Sequence, residues 1–594
     1  MITLSWCIFL PLLTAGILLL IPSSWKGLIK LVALAGAVVT FIIAISLVRG
    51  YSAGAGDNAV EALRKEQEEI IHGYGGAAFL AEYFQHDAEG NLVAPEKDEN
   101  GRMPRPEAYA SWAPPAQRAW DRVVELEYAA GVKQSQHLRF VEFAPWIEAF
   151  RVNYFVGVDG LSLPLIWLTA LLGVLCLVYS WTIDRGTKGY YILFLILETG
   201  LIGVFCALDF FVFYVFWEVV LLPMYFLIGI WGGENRIYAA IKFFIYTLFG
   251  SVLMLIVMLV MFFATEPHTF NMLALMELVP GIGGAGSSLP FWLFLGLFVG
   301  FAIKVPVFPF HTWLPDAHVE APTAVSVVLA GILLKMGGYG FFRVSYPMLP
   351  DAATSQFFIA LVAVLGMVNI IYGAFCALAQ KDFKKLVAYS SISHMGYVLL
   401  GMAALTYAGV NGAVLQMFNH GVSSAMMFLL VGVVYDRAHH RDLTNFGGMA
   451  TQMPWYFGFA VVGFFASLGL PGLNGFISEV LCFIGAWDDT PTGSLIALDA
   501  EAGGIGARWI VYLSFLGIIL TAAYILWTIQ RVYLGTPKKE EYKRFPDLSF
   551  REVFALAPLA FLCILLGVYP RILLDFMNGS LAAITDMVRA AVGS

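Results

Sequence analysis

Charged residues are scarce in this sequence, and the common motifs of soluble enzymes are missing. Only 13% of the 594 residues are Asp, Glu, Lys or Arg, about half of the share that soluble domains carry. The chain has neither a phosphate-binding loop of the form G-x-x-x-x-G-K-[ST] nor a dinucleotide fingerprint. It also has no basic cluster, so nothing in it favours nucleic-acid binding. Any energy that drives this protein therefore arrives from elsewhere.

Cysteine is also rare, and its spacing excludes several cofactors. The six cysteines stand singly in apolar segments, without a C-x-x-C pair, so neither an iron–sulfur cluster nor a zinc site is indicated. A buried cysteine usually behaves as a small hydrophobic residue. The sequence thus predicts no metal and no redox centre in this chain. The cysteines are Cys7, Cys176, Cys206, Cys376, Cys482 and Cys563.

Hydrophobic residues, by contrast, make up 59% of the chain. They form continuous runs of about 20 residues, the length that crosses a bilayer as a helix. A transmembrane barrel would instead show alternating segments of about 10 residues. The sequence therefore predicts an all-α polytopic membrane protein with about fourteen transmembrane helices, here called spans 1 to 14. These spans are predicted near residues 3–21, 28–48, 159–181, 189–207, 209–230, 238–263, 289–320, 323–343, 356–378, 386–405, 410–435, 455–487, 509–534 and 551–570.

The positions of lysine and arginine predict how the spans are oriented. The first segment, MITLSWCIFLPLLTAGILLL, has no basic residue before its apolar run, unlike a cleavable signal peptide. It is expected to stay as span 1, with its N-terminus outside. The loops after odd-numbered spans then hold basic residues while the outer loop 264–288 has none, as the positive-inside rule requires. This predicts a multi-pass protein of the bacterial cytoplasmic (inner) membrane, with the N-terminus, residues 50–153 and the C-terminus on the outer side. The basic residues assigned to inner loops are Lys26, Lys30, Arg185, Lys188, Arg236, Lys381, Lys384, Lys385, Arg437, Arg441, Lys538, Lys539, Lys543 and Arg544.

Two spans are interrupted by proline and glycine in mid-membrane. Span 7 is broken at KVPVFPFHTWLPDA (304–317), and span 12 is broken at LGLPGLNGFISE (468–479). Breaks at matching places in two halves are typical of inverted-repeat transporters, so two inverted five-helix repeats are predicted. The predicted domains are spans 1 and 2 (1–48), an external loop or subdomain (49–153) with helices at 59–71 and 115–130, span 3 (154–188), the first repeat (189–343), the second repeat (356–534), and span 14 with the C-terminus (551–594).

Several ionisable residues fall inside the predicted spans, where a charge costs several kcal/mol. Glu198 and Lys242 have a structural explanation, because each could lie near a helix end or extend toward the headgroups. His394 could likewise be an ordinary core histidine with satisfied hydrogen bonds. A function is favoured most strongly where apolar sequence extends on both sides. The residues in this last group are Glu218, Lys304, Lys335 and Glu479, and His420 is a further candidate.

Residues of these types can handle protons. Burial disfavours the charged form of lysine, histidine and glutamate, and a nearby opposite charge restores it. A Glu–Lys pair whose separation changes therefore acts as a proton valve. Metal binding fits poorly, because lysines dominate and no cluster has ligand spacing. Pro306 frees backbone carbonyls near Lys304, which predicts a wet break with His311, Thr323 and Ser326 nearby, although a packing kink is the alternative.

Five stretches carry a resemblance to one family. The chain resembles the antiporter-like membrane subunits of respiratory complex I from about residue 155 to 590, and within them the type called chain 4, or M in bacteria. Glu479 in place of a lysine, and a chain that stops soon after span 14, favour this type. The long segment 50–153 departs from the family pattern. The stretches are FWEVVLLPMYFLIGIWGG (216–233), KVPVFPFHTWLPDAHVEAPTAVSVVLAGILLKMGGYG (304–340), KDFKKLVAYSSISHMGYVLLG (381–401), FNHGVSSAMMFLLVG (418–432) and LPGLNGFISEVL (470–481).

The resemblance implies proton translocation driven by chemistry in other subunits. NADH, FMN, iron–sulfur clusters and quinone would reside in partner chains, with no cofactor in this one. The expected partners are the two other antiporter-like subunits on either side, lipids and protons, and no nucleic acid. The alternatives are a Mrp-type cation/proton antiporter or membrane-hydrogenase subunit, or a purely structural membrane subunit. The implied roles are a pair for Glu218 and Lys304, a central lysine for Lys335, relay histidines for His394 and His420, an exit carboxylate for Glu479, and a less certain role for Lys242.

Overall fold

Fourteen membrane segments form a helical bundle in the computed structural model, which describes residues 4–56, 58–73, 85–86, 92–93, 103, 106, 109, 112, 114–284, 286–487 and 508–591. Within these residues, eleven helices are long and apolar enough to cross a membrane, and four more are shorter but apolar. The predicted fold class is thereby confirmed. The spans are Leu4–Leu20, Lys26–Ser52, Leu163–Tyr179, Thr187–Cys206, Phe210–Val219 with Leu221–Trp231, Arg236–Ala264, Leu289–Lys304 with Trp313–Glu320, Thr323–Met348, Gln356–Leu378, Phe383–Ala404, Tyr407–Ala438, Pro454–Leu468 with Asn474–Trp487, Arg508–Val532 and Phe550–Val568.

Both predicted breaks are present. The first helix of span 7 ends at Lys304 and the second begins at Trp313, since the prolines between them lack a backbone donor. Asn369 of span 9 closes this gap: its side chain accepts from Phe308 N at 2.8 Å and donates to the Pro306 carbonyl at 3.1 Å. The break therefore has its own polar support inside the bundle. Span 12 is interrupted between Leu468 and Asn474, where Gly469 and Gly472 have φ of 80° and 92°.

Span 8 is buried along its whole length and is not a regular α-helix. It contains two π-helical turns, at Leu329–Leu333 and Phe341–Ser345, separated by the α-helical segment Leu334–Gly340. Turns of this kind release a backbone carbonyl from the usual ladder and are frequent at functional sites. Lys335 follows the first π turn and Arg343 lies within the second.

The described part of segment 49–153 is a small subdomain of helices and strands. Helices Ala59–Gly73 and Pro114–Gly131 pack together, as predicted at 59–71 and 115–130. An antiparallel hairpin of Arg139–Ile147 and Val152–Val158 was not predicted, and a second pair joins Gln85–His86 to Leu92–Val93. The rest of the predicted subdomain, within 57 and 74–113, lies outside the described residues.

The hairpin ties this subdomain to the bundle. Glu142 accepts a hydrogen bond from Ser5 N of span 1 at 3.0 Å. Arg151 binds Asp121 at 2.7 Å and donates to the His268 carbonyl at 3.2 Å. The inserted segment therefore covers the ends of the spans on its side of the bundle.

The loops divide between two faces. Those predicted as inner loops contact one another in series: Lys30 pairs with Asp184 at 2.9 Å, and Arg441 pairs with Asp382 at 3.1 Å. We call this the basic face. The opposite face, here the insertion face, carries the inserted segment and the amphipathic helix Arg571–Ala590, whose Ser580 accepts from Gly160 N at 2.9 Å. Which face meets the cytoplasm stays a prediction.

The remaining helices are short and lie in connections. They are Lys133–His137, Glu148–Phe150, Ser180–Thr182, Met272–Leu278, Pro350–Ala353, Leu443–Asn445, Met449–Gln452 and Glu540–Arg544.

Candidate functional site

Lys335 and His420 are in direct contact at the centre of the bundle. Lys335 Nζ lies 2.8 Å from His420 Nδ1 and also donates to the Ala330 carbonyl in the first π turn of span 8. Lys335 is 0% exposed and His420 is 2% exposed. In its ammonium form a lysine can only donate, and this contact then requires His420 Nδ1 to accept and the imidazole proton to be on Nε2. That Nε2 has no hydrogen-bond partner among the described residues, which leaves it available to a proton acceptor.

His394 continues the line from His420 toward span 12. The centroids of the two imidazole rings are 5.5 Å apart, and His394 Nδ1 lies 3.2 Å from Glu479 Oε1. The other nitrogen, His394 Nε2, lies 2.9 Å from Ser467 Oγ. Gln416 Nε2 also lies 3.4 Å from His394 Nδ1, so both ring nitrogens have polar neighbours, and the relay role of His394 stays a prediction.

Glu479 sits at the break of span 12 that the sequence predicted. A Cβ added to Gly469 would lie 2.8 Å from Glu479 Oε2, so the missing side chain of this glycine makes room for the carboxylate. Gly469 also has a positive φ of 80°, which disfavours other residues. The broken backbone therefore admits a buried carboxylate at the end of the line.

Lys304 is buried at the end of the first helix of span 7 without a close acidic partner. Its Nζ lies 5.2 Å from the centroid of the Trp217 ring and 5.7 Å from that of Phe243. Glu218 is near enough to act on it electrostatically, but the two form no direct ion pair in the described structure. Glu218 Oε1 is buried without a hydrogen-bond partner there. The implied pairing of these residues stays a prediction.

Lys242 instead has a direct partner that the sequence reading missed. Its Nζ lies 2.8 Å from Asp316 Oδ2, with side chains 20% and 30% exposed. The signal for Asp316 was present, because it belongs to the H-x-W-L-P-D-A-H motif. Lys242 therefore forms an ion pair at the break of span 7 and does not need to extend toward the headgroups.

Glu198 also lies elsewhere than expected, because the structural explanation placed it near a helix end. It lies in the middle of the helix Thr187–Cys206 and is 2% exposed. The suggestion that it sits near a helix end is therefore wrong. Its carboxylate faces Gly173 of span 3, where an added Cβ would lie 2.5 Å away.

Two further residues were assigned elsewhere or left out by the sequence reading. Lys384 was assigned to an inner loop, but it is 3% exposed and its Nζ donates to the Ala321 carbonyl. The loop assignment of Lys384 is wrong because span 10 begins at Phe383 and draws it into the bundle. His318 is fully buried and stacks on Phe428 with 4.4 Å between centroids. It is within electrostatic reach of both Lys384 and Lys335.

Among the described residues, no group of three or more His, Cys, Asp or Glu side chains has the arrangement of a metal site. The titratable groups instead form a line across the middle of the bundle, between two broken helices. This fold and site define a class: polytopic helical membrane proteins with a buried chain of proton-exchanging groups.

Comparisons with known proteins refine this class. The family model described as "NADH:quinone oxidoreductase/Mrp antiporter, TM" matches residues 207–500. The chain is 41% identical to NADH-quinone oxidoreductase subunit M of Rhodobacter capsulatus over 506 residues, 83% of this chain and 94% of that one. It is also 41% identical to F(420)H(2) dehydrogenase subunit M of Methanosarcina mazei, over 76% of this chain and 88% of that one. The chain belongs to the family of NADH-quinone oxidoreductase M subunits.

Solved structures agree with this assignment. A chain of respiratory complex I from Thermus thermophilus with bound NADH superposes with a TM-score of 0.73 and 26% identity, covering 99% of this chain and 100% of that one. A chain of the Mrp complex from Dietzia sp. DQ12-45-1b has a TM-score of 0.63 and 20% identity over 81% of this chain and 92% of that one. The second likeness shows the fold alone, so the antiporter alternative is not favoured. The resemblance drawn from the quoted motifs is confirmed.

Proposed function

We propose that the chain moves protons through its buried Glu, Lys and His residues as a membrane subunit of NADH:quinone oxidoreductase. The redox chemistry that drives this movement takes place elsewhere in the complex. One observation carries the proposal: Lys335, His420, His394 and Glu479 follow one another at 2.8 Å, 5.5 Å between ring centroids, and 3.2 Å. A purely structural subunit has no need for four ionisable side chains lined up in space at membrane depth, where each of them costs free energy.

Each transfer along this line has a donor and an acceptor. Lys335 Nζ gives a proton to His420 Nδ1, and His420 releases the proton already on Nε2. The gap between the two imidazole rings is wider than a hydrogen bond, so a water molecule carries the proton across it. His394 then passes a proton to Glu479, which releases it on the exit side. The transfer leaves the proton of His420 on Nδ1, so the imidazole must rotate, or return this proton to Nε2 through water, before Lys335 donates again.

The entry side begins at the basic face. Lys384 lies at the start of span 10, on that face, and His318 is within electrostatic reach of both Lys384 and Lys335. A proton that reaches Lys384 can therefore approach Lys335 through His318 and the carbonyls released around the break of span 7. Lys304 lies beside the same break. A positive charge on Lys304 disfavours the uptake of a proton by Lys335, because two positive charges would then lie in the same region.

Coupling acts on Glu218 and Lys304. A change of charge in a neighbouring subunit alters the field at these two residues, and with it the charge state of Lys304. Lifting one proton against about 150 mV costs roughly 3.5 kcal/mol. Forming or losing one buried ion pair is worth several kcal/mol, so a rearrangement of this pair contributes part of the energy for the step.

The wider setting follows from the same assignment. The partners are the other complex I membrane subunits, in particular the two other antiporter-like subunits, one on each side. NADH, FMN, iron–sulfur clusters and quinone are bound by partner chains. In the bacterial cytoplasmic membrane, the basic face lies inside and the insertion face lies outside, as the distribution of lysine and arginine favours.

The test is Lys335→Met in the assembled complex. In inside-out vesicles, we expect NADH-driven proton uptake and quinone-linked turnover to fall by about a hundredfold, the low end of what one positioned proton-transfer group contributes. Electron transfer from NADH to a water-soluble acceptor should be unchanged, which reports intact assembly.

Lys381→Met is the matched control, because Lys381 is an exposed lysine on the basic face. It should pump normally. Normal proton uptake by assembled Lys335→Met would contradict the proposed route.

A further inference from the structure

A second buried ion pair lies close to Lys335 but outside the proposed route. Arg343 Nη2 donates to Asp159 Oδ1 at 2.7 Å, and each side chain is 1% exposed. Arg343 Nε also donates to Tyr339 Oη at 3.0 Å, and Tyr339 Oη donates to the Phe205 carbonyl at 3.0 Å. The arginine is thus fixed by two partners at once.

The position of this pair along span 8 is specific. Arg343 lies eight residues beyond Lys335 toward the insertion face, which corresponds to roughly 12 Å of helix rise. It lies in the second π turn, Phe341–Ser345, whereas Lys335 follows the first. Asp159 comes from the turn between strand Val152–Val158 and span 3. Along span 8, the pair therefore lies between Lys335 and the insertion face.

The pair is not fully satisfied by protein atoms. Arg343 Nη1 and Asp159 Oδ2 are buried and have no hydrogen-bond partner among the described residues. Buried groups of this kind are usually hydrogen-bonded to internal water. Water at this point, together with Tyr339 one turn from Lys335, would give protons a direct way out of the first repeat.

The chemistry of arginine argues against such an exit. A guanidinium keeps its proton at all physiological pH values, so it cannot accept and release one as a relay. A fixed positive charge instead repels protons from the water around it, as in pores that exclude protons and cations. Asp159 Oδ1 accepts hydrogen bonds from Arg343 and from the backbone N–H groups of Leu161 and Ser162, the last two at 3.1 and 3.0 Å.

We infer that the Arg343–Asp159 pair is an electrostatic barrier that closes the insertion-face end of the first repeat. A proton on Lys335 is thereby directed to His420 and the second repeat, and does not leak straight across the membrane. The inference rests on the proposed function for the direction of transfer. The barrier itself is measured without NADH, so the two can fail separately.

The experiment measures passive proton leak in vesicles that contain the assembled complex. A pH gradient is imposed without NADH, and its decay is followed with a trapped pH-sensitive dye. For Arg343→Gln we expect the leak to rise by roughly tenfold, equivalent to about 1.4 kcal/mol off the barrier.

Asp159→Asn separates a charge barrier from a simple plug. It removes the counter-charge but leaves the arginine, so the leak should stay at the parent level. If Asp159→Asn leaks as much as Arg343→Gln, or if assembled Arg343→Gln does not leak at all, the inference is overturned.

Arg437→Gln controls for loosened packing. Arg437 forms a comparable pair with Glu552 at 2.8 Å, with side chains 10% and 4% exposed, near the basic face, and its variant should not leak. If Arg343→Gln fails to assemble, the double variant Arg343→Gln with Asp159→Asn leaves no unpaired buried charge and carries the same prediction. NADH-driven uptake by Lys335→Met in the same preparation tests the proposed function independently.

Discussion

The buried charges on the two sides of Lys335 are held differently. Toward span 12, His420, His394 and Glu479 approach one another at hydrogen-bonding or ring-contact distance. Toward span 5, Lys304 faces the rings of Trp217 and Phe243 and has no close carboxylate partner in the described structure.

This difference separates conduction from control. A line of neighbouring polar groups lowers the cost of moving a proton, because the proton is never far from a group that can take it up. A charge surrounded by apolar and aromatic groups is poorly screened, so a distant change of charge alters its energy strongly. The first region, from Lys335 to Glu479, therefore suits proton conduction, and we call it the wire. The second region, Glu218 with Lys304, suits control of that conduction, and we call it the switch.

The largest effect is expected from breaking the wire. In Glu479→Gln the final acceptor cannot take a proton from His394, so proton uptake and coupled turnover should fall by about a hundredfold. Glu479→Asp keeps the acid and should retain part of the activity. Proton uptake per NADH in vesicles is the measurement, and uptake unchanged in the Gln variant would show that protons do not pass through this carboxylate.

A smaller effect is expected in the switch region. Glu218 acts on Lys304 through space, and two unit charges about 8 Å apart interact by roughly 2 kcal/mol at an effective dielectric constant of about 20, so Glu218→Gln should slow pumping by about thirtyfold. Glu234→Gln is the control, because Glu234 is exposed on the basic face. A loss as large as that of Glu479→Gln would mean that the two regions work alike.

The smallest effect concerns Lys242 and Asp316, whose pair is partly exposed. Such pairs contribute at most about 1 kcal/mol, so Lys242→Met should lower the thermal stability of the purified complex slightly. The exchange Lys242→Asp with Asp316→Lys should recover that stability. If the exchange restores stability but not pumping, the direction in which the two charges of this pair are arranged also contributes to the control of pumping.

Much of the fold follows from local pattern. Apolar runs of about 20 residues predicted the spans, and proline with glycine predicted the breaks at Lys304–Trp313 and Leu468–Asn474. Both depend on nearest neighbours in the chain, because a backbone without a donor or with a positive φ ends a helix wherever it occurs.

The hairpin in the inserted segment was missed for the opposite reason. Strands Arg139–Ile147 and Val152–Val158 are rich in valine and aromatic residues, but a strand is stabilised by its partner and by the surface it covers. Lys384 was misplaced for a similar reason. Its charge marked it as a loop residue, while the carbonyl of Ala321 that satisfies it comes from the connection between spans 7 and 8.

The sequence by itself determined the membrane class, the spans, the two breaks and the identity of most ionisable residues. Tertiary structure alone decided which of them meet. Lys335 and His420 are 85 residues apart in the chain and 2.8 Å apart in space, and Lys242 and Asp316 are separated by 74 residues and 2.8 Å. The physical reason is that hydrogen bonds require contact within about 3 Å, and only the packing of distant helices sets distances that finely.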